Sequence, residues 1–104
     1  MYKIVITNEV IEEVEEIVAW YEEQKQGLGI DFYMKFEDAL NFVSKNPKIF
    51  AKVLFKFRRV LTNRFPYAIF YYEDQANKTV DVVGIFNTSR NSEIIRKKLS
   101  FKAK

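Results

Sequence analysis

The sequence contains no cysteine and no histidine. Without cysteine there is neither a disulfide framework nor a thiolate metal site, and a reducing compartment suits the chain. Without histidine the commonest general base and the commonest neutral metal ligand are both missing. Acid–base chemistry would fall to carboxylates, Lys, Arg, Tyr or Ser. Long apolar runs are lacking too. The longest uncharged apolar run, Phe65 to Tyr72, has eight residues, against the roughly 20 that a bilayer-spanning helix needs. The first residues form a strand-like segment rather than a basic stretch followed by an apolar one, so no secretion signal is expected. No phosphate-binding glycine loop, dinucleotide fingerprint or metal-ligand spacing occurs. The expectation is a cytoplasmic protein with no cofactor, no metal and no membrane association.

What is present is apolar mass and sorted charge. Hydrophobic residues make up 48% of 104, with ten Phe and six Tyr, enough for one domain over residues 1–104 with its own core. The formal net charge of +3 conceals a strong asymmetry. Residues 1–38 carry ten carboxylates against Lys3, Lys25 and Lys35, a balance of −7. Residues 39–72 carry Lys45, Lys48, Lys52, Lys56, Arg58, Arg59 and Arg64 with no acidic residue, a balance of +7. Such sorting speaks of partners and association rates rather than of fold, and the basic end suits an anionic partner.

Periodicity sets the element order. Tyr2 to Ile6 reads as a short buried strand. Thr7 or Asn8 then caps a helix whose Val10, Ile11, Val14, Ile17, Val18 and Tyr21 share one stripe, with its Glu residues outside it. Gly27 and Gly29 form a connector, and a second helix runs from about Ile30 to Lys45, stopped by Asn46-Pro47. The two make an antiparallel hairpin. Val53 to Leu61, Arg64 to Glu73 and Thr79 to Phe86 read as three antiparallel strands, joined by a Thr62-Asn63 turn and an Asp74–Lys78 loop. A short basic helix from about Ser92 to Ser100 closes the chain. The fold class is α+β, in the order β-α-α-β-β-β-α, with the helical hairpin packed on a small antiparallel sheet.

Three groups of residues invite function. Lys52, Lys56, Arg58, Arg59 and Arg64 are expected on two adjacent strands. Alternation must send Arg58 and Arg59 to opposite faces, and sequence alone leaves open which of them shares the uncovered face. Arg90 follows a strand and precedes a helix, where a loop can aim it over the sheet. Phe65, Tyr67, Phe70, Tyr71 and Tyr72 suit either core packing or stacking on bases. The paired carboxylates Glu12/Glu13 and Glu15/Glu16 lie on a solvated helix face.

The segment RRVLTNRFPYAIFYYEDQANKTVDVVGIFNTSRN, from Arg58 to Asn91, resembles the core of the RelE/ParE superfamily of type II toxin–antitoxin toxins. The acidic hairpin from Thr7 to Pro47 has the length and pattern of the ParE-type branch, and the likeness spans about residues 2–100. The resemblance implies a bacterial growth-inhibiting toxin, associated with plasmid stabilization and neutralised by a cognate antitoxin. Its target would be DNA gyrase or the ribosome with its mRNA. In a ribosome-dependent endoribonuclease, Arg59, Arg64 and Arg90 match the arginines that hold the phosphates, and Lys52, Lys56 or Glu73 would have to move the proton. The region after Arg90 offers no Tyr or His, and Asn87 stands where the superfamily often has His. The ParE-like reading is therefore favoured, as a toxin that binds a protein target without being a hydrolase. The RelE-like nuclease and a degenerate toxin-fold binding protein are the alternatives. Lys52, Lys56, Arg58, Arg59, Arg64 and Arg90 are the candidate target- or nucleic-acid-binding residues.

Overall fold

The structure, a computed structural model, describes residues 1–103. Its first strand, β1 (Lys3–Ile6), leads into the helices α1 (Asn8–Gln24) and α2 (Leu28–Lys45). Thr7 caps α1, its hydroxyl accepting from the Val10 N–H at 3.2 Å. The apolar stripes face each other and the sheet, except at Ile11, which the periodicity places in the first stripe and which is exposed. Val10 and Val14 of α1 and Phe32, Phe36, Leu40 and Val43 of α2 are buried, with Ile17, Val18 and Tyr21 packed against them.

The turn between the helices rests on two glycines and one carboxylate. Gly27 caps α2 at φ +88°, where a side chain would be strained. Gly29 lets α2 approach α1 closely, since a Cβ there would lie 2.6 Å from the Val18 carbonyl oxygen. The Glu22 carboxylate accepts from the Gly27 N–H at 2.9 Å and the Gly29 N–H at 3.1 Å. It thereby satisfies amides that a helix start leaves open, and places negative charge at the positive end of α2.

The sheet has five strands in the order β1-β5-β4-β3-β2. The strands β2 (Lys52–Leu54), β3 (Phe57–Leu61), β4 (Tyr67–Asp74) and β5 (Thr79–Asn87) are antiparallel neighbours, while β1 pairs parallel with β5 from Lys3↔Thr79 to Ile6↔Val82. The α+β class and element order stand as expected, but the sheet is mixed rather than wholly antiparallel. The expected Val53–Leu61 strand is two strands, broken at Phe55, which turns at φ +53°. The expected Arg64–Glu73 strand begins only at Tyr67, because Arg64 turns the chain at φ +72° and Pro66 follows. Lys56 and Arg64 therefore lie in turns and not on strands.

Between Phe70 and Tyr71 the β4–β5 register shifts, so Val83 is an extra residue on β5. Such a bulge re-aims the side chains on either side of it. Val80, Val82 and Ile85 face the hairpin, and Val83 and Phe86 face the other side. That second side has a small core of its own with Phe57, Ala68 and Phe70, covered by Leu99 and Ile95 of α3 (Ser92–Ser100). Asn91 caps α3, its side chain accepting from the Glu93 N–H at 2.7 Å. Just beyond α3, Lys102 Nζ donates to the Val83 carbonyl at 2.6 Å and reaches Glu9 at 3.0 Å.

Gly29→Ala is expected to lower stability by about 1–3 kcal/mol, because the added methyl meets backbone rather than a movable side chain. Glu16→Ala, on the exposed face of α1, should change it by less than about 0.5 kcal/mol. Urea denaturation of both variants checks the contrast.

Candidate functional site

Alternation along β3 separates the adjacent arginines. Val60 belongs to the hairpin-side core and Phe57 to the opposite one, so Arg58 points towards the hairpin and Arg59 away from it. The Arg58 guanidinium lies 2.9 Å from Glu73 Oε1 and also donates to the Phe50 carbonyl. Both side chains are largely buried, and Arg58 Nε and Glu73 Oε2 have no further partner. Tyr71, fully buried beside them, donates to the Pro47 carbonyl at 3.3 Å. Burial pushes its phenol up to about 12, with Arg58 opposing the rise and Glu73 adding to it. Together these groups fasten the segment after α2 to the sheet.

On the opposite side Arg59 is exposed, across from Phe70 in the β3–β4 register. Lys56 Nζ sits 4.2 Å from the centre of the Tyr72 ring, a cation–π contact. The Asp81 carboxylate, paired across the strands with Tyr72, accepts its hydroxyl hydrogen bond and is the chief reason that the phenol titrates above its usual range. Asp74 is held low mainly by Asn77, with a smaller contribution from Lys56. Lys52 is exposed on the edge strand opposite Arg58.

Arg64 and Arg90 occupy two loops at one end of the sheet. The Arg64 guanidinium lies 5.8 Å from the Phe65 ring centre. The Arg90 N–H donates to the Asn87 carbonyl at 2.9 Å, and Asn87 Oδ1 accepts from the Ser89 N–H and hydroxyl. The Thr88 N–H donates to the Pro66 carbonyl at 2.8 Å, which joins the two loops. From Tyr72, beside Lys56, to Tyr67, where these loops begin, is five residues of strand, roughly 17 Å.

The exposed cations do not gather in one cleft: Lys56 and Arg59 lie on the side away from the hairpin, Lys52 pairs with Arg58 at the sheet edge, and Arg64 and Arg90 sit in the loops at one end. Arg58 is not among them, being engaged in the buried pair. Glu73 is turned away from the face, and Asp81 is engaged by Tyr72. Among the described residues no cluster of metal-ligating side chains forms. The aromatic run is mostly core, with Phe65, Phe70 and Tyr71 buried. Glu13 is less solvated than its helix phase implies. It lines a groove of about 660 Å³ with Ile94, Lys97, Lys98 and Phe101, and burial, then Glu9, raises its carboxyl. Sequence reasoning passed over Arg96, because its position beside Arg59 follows from where α3 docks.

Two outcomes test this division of the arginines. Glu73→Ala should destabilise the fold by about 3–5 kcal/mol by leaving the buried Arg58 without its counter-charge, whereas Arg59→Ala should leave stability within about 0.5 kcal/mol of the parent. The raised Tyr71 pKa also fixes a sign. The neutral phenol stabilises the fold fully below the ordinary tyrosine value near 10, and that contribution is lost as pH rises from there to about 12. Denaturation midpoints measured across this window should fall, and should fall less for Tyr71→Phe.

Residues 4–92 match the family described as "ParE toxin of type II toxin-antitoxin system, parDE". No curated protein matches the sequence. Among solved structures, the crystal structure of the isolated E. coli RelE toxin is similar, with a TM-score of 0.65 at 14% identity, covering 93% of this chain and 98% of that one. At that identity the likeness is one of fold. No helix of the described residues is long and apolar enough to cross a membrane. With the matched residues running from β1 to the first residue of α3, the chain belongs to the ParE toxin family of type II toxin–antitoxin systems, within the RelE/ParE superfamily.

Proposed function

We propose that the protein is a ParE-like cytoplasmic toxin that arrests bacterial growth by binding DNA gyrase, and that a cognate antitoxin neutralises it. The observation that carries the reading is the distribution of groups on the exposed sheet face. Lys56 and Arg59 offer positive charge on it, and Arg64 and Arg90 lie exposed in the loops at one end of the sheet. The carboxylate best able to move a proton, Glu73, lies on the other side in the Arg58 pair. Such a face favours recognition of an anionic surface over acid–base chemistry. The family match over residues 4–92 supports the same branch.

The RelE-like alternative, ribosome-dependent mRNA cleavage, draws on Arg59. Its exposure on the face opposite the hairpin leaves it free to hold a phosphate, and the 2′-hydroxyl of RNA can serve as nucleophile where positioning and charge supply much of the rate. A degenerate toxin-fold protein would bind its antitoxin and arrest nothing.

A supercoiling reaction with purified gyrase separates these readings. Added toxin should block supercoiling or trap cleaved DNA, and preincubation with the antitoxin should restore activity. Arg59→Ala should weaken gyrase binding by about 1–2 kcal/mol while antitoxin binding persists. Gyrase that works normally at large toxin excess would overturn the proposal.

A further inference from the structure

Besides the stripe it buries, α2 carries a second one. At about 100° per residue, Met34, Lys45, Asp38, Asp31, Phe42 and Lys35 fall within an arc roughly 100° wide, turned away from the buried Phe32, Phe36 and Val43. Met34 is 56% exposed and Phe42 43%. Leu61 of β3, 52% exposed, joins Phe42, Phe50 and Val60 in lining a cavity of about 350 Å³, together with Lys35 and Asp38. The charges of the stripe alternate along the helix, since Asp31, Lys35, Asp38 and Lys45 run negative, positive, negative, positive. The two salt bridges among the described residues are Arg58–Glu73 and Lys102–Glu9, so none of these four has an ionic partner there.

We propose that this stripe is the interface of a two-fold symmetric homodimer, in which α2 of one copy lies antiparallel on α2 of a second. Reversing the helix turns its charge order into the complement. Asp31 then meets Lys45 of the other copy and Lys35 meets Asp38 of the other copy, and the axis repeats each pairing. The two pairings call for registers three residues apart, less than one helical turn, and long side chains span that difference. The Asp31–Lys45 register also sets Met34 opposite Phe42 of the other copy, where an unbranched thioether suits the cavity beside that ring. A self-complementary order is what an isologous contact requires, and it points to a second copy rather than to an unrelated partner. The stripe has no net charge, unlike the cationic groups assigned to target recognition. With 18 residues α2 is about 27 Å long. One helix pair of that length makes a small interface, so a dissociation constant in the micromolar range is expected. The inference goes beyond the toxin reading and does not rest on it, because no residue of the stripe belongs to the face proposed for the target.

The test is sedimentation velocity of the full chain over a concentration series reaching about 500 µM. A monomer–dimer equilibrium is expected. Lys35→Asp and Asp38→Lys each bring like charges together at the axis, and each should weaken the dimer about tenfold or more. Mixed in equal amounts, the two variants again present opposite charges, so a heterodimer of parent-like affinity should form. Glu16→Lys alters the net charge as much as Asp38→Lys does but lies on the exposed face of α1, and should leave the dimer unchanged. Thermal melts of each variant check that it is folded, and only folded chains can regain a dimer on mixing. A parent chain that stays monomeric throughout the series overturns the proposal. So does a dimer that the single swaps leave intact, that mixing fails to restore, or that Glu16→Lys weakens as much as Asp38→Lys.

Discussion

The alternation of β3 between the two cores, with Val60 on the hairpin side and Phe57 on the other, sets which residues the exposed face presents. A strand has a side-chain period of two, so slipping β3 by one residue would exchange Arg58 and Arg59 between faces. One direction of slip would still set an arginine beside Glu73, but in either direction Phe57 and Val60 would leave their respective cores. The buried Arg58–Glu73 pair fastens the register so fixed, and Tyr71 extends it by anchoring Pro47 of the segment between α2 and β2.

The second consequence concerns layering. The hairpin covers one face of the sheet through a seam of Tyr21, Phe32, Phe65 and Tyr67 rings, with centroids 5.0 to 6.4 Å apart. On the opposite face α3 covers only part of the surface, through Leu99 and Ile95. The bulge at Val83 makes this arrangement consistent, because it turns apolar side chains of β5 to both faces. The domain thus keeps one face fully packed under the hairpin and leaves part of the other open, where Arg59 is exposed and Lys56 lies over Tyr72.

Much of this was legible in the sequence and some was not, for identifiable reasons. The 3.6-residue stripes of Val10–Tyr21 and Phe32–Val43 located the hairpin, and the Asn46-Pro47 stop ended it where expected. The break at Phe55 was invisible, because a bulky residue at positive φ carries no local signal such as Gly or Asn would give. The same holds for Arg64, whose turn conformation was masked by the strand-like RFPY run. The parallel β1–β5 pairing joins residues some 75 positions apart, and no periodicity encodes that. Glu22 read as a solvated carboxylate because its partners, the Gly27 and Gly29 amides, lie across a turn. Of the candidate binding residues, alternation correctly separated Arg58 from Arg59 but could not orient them. Arg96 was missed because only the docking of α3 brings it beside Arg59.

The central functional claim is that this member of the ParE toxin family acts by binding and not by cutting RNA. A purified translation reaction with a defined messenger, followed by mapping of RNA ends, examines it without involving gyrase. The account predicts intact messenger at high excess of this protein. Cuts phased with codons in the ribosomal A site would contradict it and make Arg59, Arg64 and Arg90 the residues of a nuclease.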